Sequence, residues 1–313
     1  MIRADAYLQL RDLLPMEQLK AELSTVLGES LSRLERISEQ PYAHLYALYD
    51  HAGNAMPLLA KSYICQGVAS QEAYKLSMLS REGEVRLPTV YGMVMTHQAP
   101  YKELLLIERL RGVSVEAPSR SPQRWTLLMD QIVESMLAWH RIDSHGCVGT
   151  VDSTQDNSWP NWYRQRLEVL WATLMNVNAT QLTPQDRTVL YRSRQSLSAL
   201  FADFDDSCVL VHGNLTLRSM LKDPRSDQLL AMINPGMMLW APREYELFRL
   251  CEEPGMPEQL FYHYLKQAPL AESFVCRRWL YILWAAVSRY IHTGQLDRPL
   301  FDTATRELLP WLE

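Results

Sequence analysis

The sequence predicts an α+β protein in which a small antiparallel β-sheet lobe, residues 1–110, precedes a larger, mainly helical lobe, residues 111–313, that carries a short β-hairpin. Three observations predict it. Strand-like runs crowd the first third, amphipathic helical patterns dominate from Pro122 onward, and one β island interrupts those helices at residues 208–233. With 313 residues, 47% of them apolar, the chain can bury one large core or two coupled ones.

The elements follow in order. Residues 15–27 put Leu19, Leu23, Val26 and Leu27 on one helical face, begin with a proline and stop at Gly28. Met16 can equally begin the folded region, which makes residues 1–15 an upstream extension. Extended runs at 31–38, 45–50 and 56–63 form a meander, the last two joined through His51-Ala52-Gly53-Asn54. A helix over 71–79 and strands at 90–96 and 104–110 complete a β-β-β-α-β-β order. Residues 124–141 keep a 3.6-residue period through Leu128, Met129, Ile132, Val133, Met136, Leu137 and His140, so this helix needs a partner surface and His140 is read as a core histidine. A polar stretch, 146–158, leads to the aromatic cluster Trp159, Trp162, Tyr163 and Trp171, read as packing. The β island offers 208–212, 220–222 and 229–233, with a turn at 223–227; helices resume at Glu244 and include 277–292.

Composition removes several classes of function. Thirty-one Lys and Arg against 36 Asp and Glu give a formal charge of −5, without the basic stripe that neutralises phosphates, so nucleic acid is not an expected partner. The longest unbroken apolar run, 279–287, is bracketed by Arg277, Arg278 and Arg289 and falls well short of the about 20 residues a bilayer span needs, so no membrane association is expected. Arg3, Asp5, Arg11 and Asp12 leave no apolar core for a secretory signal. The five cysteines, at 65, 147, 208, 251 and 276, form no C-x-x-C pair, which argues against a zinc ribbon or disulfide frame and for a reduced, cytoplasmic protein.

The chemistry-bearing segments are Val211-His212-Gly213-Asn214-Leu215-Thr216-Leu217-Arg218-Ser219-Met220-Leu221 and, twenty residues beyond Asn214, Ile233-Asn234-Pro235. They resemble the H-G-D-x-x-x-x-N-h-h and h-D-[FPW] core, h being apolar, of the aminoglycoside phosphotransferase, choline kinase and fructosamine kinase superfamily. More narrowly, the chain looks like the enterobacterial YcbJ-type group that carries this domain. Further elements recur in the superfamily's order. Lys61 ends the third strand, Glu72 sits on the following helix, and Leu104-Leu105-Leu106-Ile107-Glu108 looks like the strand entering the hinge. Leu137-Ala138-Trp139-His140 resembles the L-x-x-L-H helix, and 241–247 resembles G-D-P-x-x-D-L-A with Glu246 at an aspartate position. The resemblance implies a bilobal, protein-kinase-like fold with ATP as the candidate cofactor. It implies that Lys61 holds nucleotide phosphates, that Glu72 pairs with Lys61, and that backbone groups near Glu108 meet the adenine edge.

Three departures from that pattern bear on activity. Phosphoryl transfer depends on positioning, on cations that bridge nucleotide oxygens, and on a carboxylate that accepts the substrate proton. Asn214 stands at the catalytic aspartate position, and an amide takes no proton near neutral pH. Ser219 replaces the metal-binding asparagine with a shorter side chain, and Asn234 replaces the aspartate that anchors magnesium. Loss of the general base alone costs about 10²–10⁴-fold, and the missing carboxylates argue against magnesium; no metal ligands are assigned. The 38–44 segment, without glycine, is a poor cradle for a triphosphate, and Asp205 and Asp206 are expected at the far end of the strand that reaches His212. Arg218 and Arg243 form a candidate anion site, unless they face solvent or pair with Asp223, Glu244 or Glu246. Three readings therefore stand: an impaired pseudokinase that binds a small-molecule ligand or a protein partner, an active ATP-dependent phosphotransferase acting on a small-molecule hydroxyl, and an interaction scaffold. A contiguous exposed patch of Trp159, Trp162 and Trp171 favours the scaffold, whereas a lined cleft beside Asn214 favours a ligand.

Overall fold

The structure is a computed structural model that describes residues 4–40, 43–96, 100–151, 155–156, 158–177, 179–252 and 255–312, with side chains from Met16 onward except at 39, 40, 155 and 156. The described chain divides into two compact units, Met1–Arg81 with Arg86–Arg111, and Glu82–Val85 with Gly112–Glu313.

In the first unit, α1 (Ala4–Leu27) leads into β1 (Leu31–Gln40), β2 (Ala43–Asp50), β3 (Ala55–Tyr63), α2 (Val68–Glu82), β4 (Val90–Met95) and β5 (Glu103–Glu108). The five strands form one antiparallel sheet in the order β1-β2-β3-β5-β4. Leu19 and Leu23, on the face expected of the leading helix, are fully buried against Leu34, Tyr46, Leu48, Ala60, Leu104 and Leu106. Each such leucine contributes roughly 1.5–3 kcal/mol by leaving water. The helix begins upstream of residue 15, because nothing in the 4–14 stretch breaks it before the proline, which falls inside it. The expected 38–44 loop is mostly ladder instead: Ser38, Glu39 and Gln40 pair with Leu45, His44 and Ala43. What is left of that loop, Pro41 and Tyr42, lies outside the described residues.

The second unit contains β6 (Val113–Ser114), α3 (Pro122–His140), β7 (Cys147–Thr150), β8 (Gln155–Asp156), α4 (Trp159–Asn176), α5 (Pro184–Gln195), α6 (Leu197–Leu200), β9 (Val209–Val211), β10 (Met220–Lys222), β11 (Leu229–Met232), β12 (Leu239–Ala241), α7 (Glu244–Leu247), α8 (Met256–Gln267), α9 (Phe274–Thr293) and α10 (Arg298–Leu308). Ser121 caps α3 by accepting the Arg124 N–H, and Gly294 ends α9 in the left-handed conformation. Leu128, Ile132, Val133, Met136 and Trp139 of α3 and Leu280, Leu283, Trp284 and Val287 of α9 are buried. The expected β island is divided between two sheets. The β10–β11 hairpin pairs with β6, while β9 pairs with β12, which pairs in turn with β7. Strands of three or four residues have too short an alternation to announce themselves, which is why β7 and β12 escape a periodicity reading. No described helix is long and apolar enough to cross a membrane.

Candidate functional site

In the first unit, sheet pairing places Lys61 opposite Leu45 and Leu105. Its ammonium lies 2.7 and 2.8 Å from the two Glu72 oxygens, and the two side chains are only 12% and 13% exposed. The Tyr63 hydroxyl donates to the same carboxylate at 2.6 Å; burial, with the Glu72 charge adding, pushes the phenol far up, so it stays a donor. α2 itself is started from outside. The Glu103 carboxylate of β5 accepts the Gly67 and Ala69 N–H groups at 2.6 and 2.9 Å, satisfying donors that the helix leaves unpaired. Glu108, in contrast, is engaged locally: its N–H donates to the Thr89 carbonyl at 2.9 Å, and its carboxylate pairs with Arg86 and accepts from Thr89.

In the second unit, the segment from His212 to Ser219 folds as a tight loop after β9. Trp139 stacks on the His212 ring with centroids 5.7 Å apart, and burial pushes that imidazole down to about 3. The Gly213 and Leu215 N–H groups donate to Glu246 at 3.1 and 3.4 Å. Burial pushes the Glu246 carboxyl up to about 7 against the pull of those same hydrogen bonds. Gly213 has φ 79°, and a side chain there would strike the Met237 backbone, so this close approach of the two loops requires glycine.

The side chains of Asn214 and Ser219 bond to backbone groups of this loop and of Asn234. The Asn214 side-chain amide donates to the Asn234 backbone carbonyl at 3.0 Å, with Asn234 held at φ 53°. Ser219 is buried, and its oxygen lies 2.7 Å from the Asn214 carbonyl, 2.8 Å from the Thr216 carbonyl and 2.9 Å from the Thr216 nitrogen. Its hydroxyl closes a turn, Leu217–Ser219, of the loop itself. Two side-chain amides and a hydroxyl supply no anionic oxygen, so these residues do not fit a magnesium ion. Among the described residues, no three His, Cys, Asp or Glu side chains converge as a metal cage.

The two candidate arginines are not equivalent. Arg218 is exposed, with Nε 2.8 Å from Glu116, and lines a cavity of about 480 Å³ with Thr216, Leu217, Arg249, Glu252 and Arg289. Arg243 does not line it; it donates to the Pro269 carbonyl at 3.3 Å. Burial pushes Asp206 up against the pull of Arg243, and pushes His140 down to about 3 with the Arg243 charge adding. His140 is a buried core residue whose Nδ1 lies 2.8 Å from the Tyr264 hydroxyl.

Sequence reasoning missed Arg249, Glu252 and Arg289. The i, i+3 spacing of Arg249 and Glu252 was a local signal, whereas Arg289, on another helix, gave none. The tryptophans form no exposed patch. Trp159 is 2% exposed, stacks on Trp162 at 4.9 Å and donates to Tyr281, whose hydroxyl in turn donates to the buried Glu244.

Residues 16–298 match the family model described as fructosamine kinase. The chain is 60% identical over 298 residues to YcbJ of Escherichia coli (strain K12), covering 95% of this chain and all of that protein, and the YcbJ of Shigella flexneri matches to the same extent. Among solved structures, a Haemophilus somnus 129PT protein assigned as a fructosamine-3-kinase superposes with TM-score 0.73 at 14% identity, over 96% of this chain and 99% of the other. A thermostable mutant of the aminoglycoside phosphotransferase APH(4)-Ia, in a ternary complex with ADP and hygromycin B, superposes with TM-score 0.69 at 15% identity, over 93% of this chain and 97% of the other. The fold is therefore kinase-like and of the phosphotransferase type, in an α+β chain.

Proposed function

Because this chain belongs to the fructosamine kinase family, we propose that it is a catalytically impaired, kinase-like cytoplasmic protein whose second unit binds a small-molecule ligand or a protein partner. One observation carries the reading. The Asn214 amide donates to the Asn234 backbone carbonyl and the Ser219 hydroxyl is bonded within its own loop, so two of the three positions that would offer a base and metal ligands are engaged with backbone. An acceptor hydroxyl at Asn214 would meet an amide that takes no proton, and loss of such a base costs about 10²–10⁴-fold in rate. The formal charge of −5, without a basic stripe, supports a partner other than nucleic acid.

A second reading, an active phosphotransferase, is favoured by the Lys61–Glu72 pair, which presents a fixed, partly buried cation suited to a phosphate. ATP, when bound, would supply the phosphoryl group. Calorimetric titration of ATP and ADP, with and without magnesium, separates the two, with Lys61→Ala as the control. The impaired reading expects no binding, or binding that magnesium leaves unchanged. Magnesium-dependent binding that Lys61→Ala abolishes by tenfold or more, with transfer to an acceptor, overturns it.

A further inference from the structure

We propose that the cavity beside the 216–218 turn of the second unit binds an oxyanion, a carboxylate or phosphate on an apolar body, through Arg249 and Arg289. The inference rests on reading this unit as a ligand-binding one and names the chemistry of its ligand. The two guanidinium groups are held by a single carboxylate. Arg249 Nη1 lies 3.0 Å from Glu252 Oε1, and Arg289 Nη1 lies 2.8 Å from Glu252 Oε2. A guanidinium has five N–H donors, and each arginine uses one on Glu252, so four remain on either side of a shared anchor. Glu252 thus orders two cations that would otherwise repel each other, and leaves them with donor capacity to spare.

The charge balance of the wall has the matching sign. Arg218, Arg249 and Arg289 face Glu116 and Glu252, a surplus of one positive charge. A cationic ligand would have to take Glu252 from two arginines at once, whereas an oxyanion completes what Glu252 leaves open. The Arg249 side chain is 24% exposed and that of Arg289 38%, so the interaction is screened less than on open surface. Met256 and Pro257, both partly exposed, supply the apolar part of the lining, which is why the anion is expected on an organic body and not alone. The planar fork of arginine matches the two oxygens of either anion, so carboxylate and phosphate are separated by experiment.

The test is calorimetry on the full chain, without nucleotide, using benzoate, phenyl phosphate, inorganic phosphate and the neutral benzyl alcohol. Benzoate or phenyl phosphate should saturate, with benzyl alcohol and inorganic phosphate about tenfold weaker or more; which of the two organic anions binds tighter identifies the head group. Arg249→Ala and Arg289→Ala should each weaken that binding about tenfold. Glu252→Gln keeps the shape, removes the competing charge and should strengthen binding severalfold, the opposite of what damage to the fold would do. Absence of saturation by both organic anions, equal affinity for the alcohol, or weaker binding in Glu252→Gln overturns the proposal. The probes carry no nucleotide, so a nucleotide result that sinks the impaired-kinase reading leaves this one standing; anion binding unchanged in both Arg249→Ala and Arg289→Ala would place the site elsewhere and sink it.

Discussion

Glu246 shows what a single side chain does beside the loop that follows β9. It is fully buried, holds the Gly213 and Leu215 N–H groups, and titrates at about 7 in the folded protein against 4.5 for an ordinary glutamate. Between those values the folded state binds the extra proton, so the Glu246 contribution to stability falls as pH rises from about 4.5 to about 7. His140 and His212 act in the other direction. Burial holds both at about 3 against 6.5, so the unfolded chain binds the extra protons, and stability falls as pH drops from about 6.5 toward 3. Glu246→Gln keeps an acceptor oxygen for the loop and removes the opposing carboxyl. Urea unfolding between pH 5 and 6 should then show stability rising with pH more steeply than in the parent, by up to about 1.4 kcal/mol per pH unit. Identical slopes would mean that Glu246 is ionised throughout. The position of Glu246 was legible in the sequence through its motif; its titration was not, because that depends on what covers it.

At the scale of elements, the placement of Glu72 depends on how α2 is started. The first turn of α2 has no acidic side chain of its own, and its N–H groups are met by Glu103 from a strand distant in sequence. Glu103→Ala should destabilise the first unit by about 1–2 kcal/mol and speed amide exchange at Gly67 and Ala69 before it is felt elsewhere. Glu103→Gln, which keeps one acceptor oxygen, should cost less. Unchanged exchange at both amides in the alanine variant would show that the cap contributes nothing. A cap from a neighbouring element leaves no local signature in the helix sequence, whereas Ser121 lies directly before the helix it caps. The same limit explains the β island. Its strands were visible as apolar runs, but that β9 joins β12 and not the β10–β11 hairpin is a choice between partners that periodicity does not make.

Across the whole molecule the fold is kinase-like, and on the reading proposed above the groups that would do its chemistry are replaced, so that fold and activity would separate. Asn214→Asp with Asn234→Asp changes shape little and returns two carboxylates to the loop. The double variant should acquire magnesium-dependent ATP binding that the parent lacks, seen by calorimetry with and without the metal. Its phosphoryl transfer should stay weak, because the Ser219 hydroxyl remains committed to the Thr216 and Asn214 backbone. Full kinase turnover in that variant would show that Ser219 is no obstacle. The sequence by itself determined the α+β class, the order of the main elements and the family, and it supplied Lys61, Glu72, Asn214, Ser219, Asn234 and Glu246 as candidates, since each rests on residue type, period or motif. Only the tertiary structure decided that the Asn214 and Ser219 side chains bond within their own site, that Arg243 stands apart from Arg218, and that Arg249 and Arg289 share Glu252. Hydrogen-bond partners and burial are set by which surfaces meet, and the side chains concerned come from segments that local pattern does not connect.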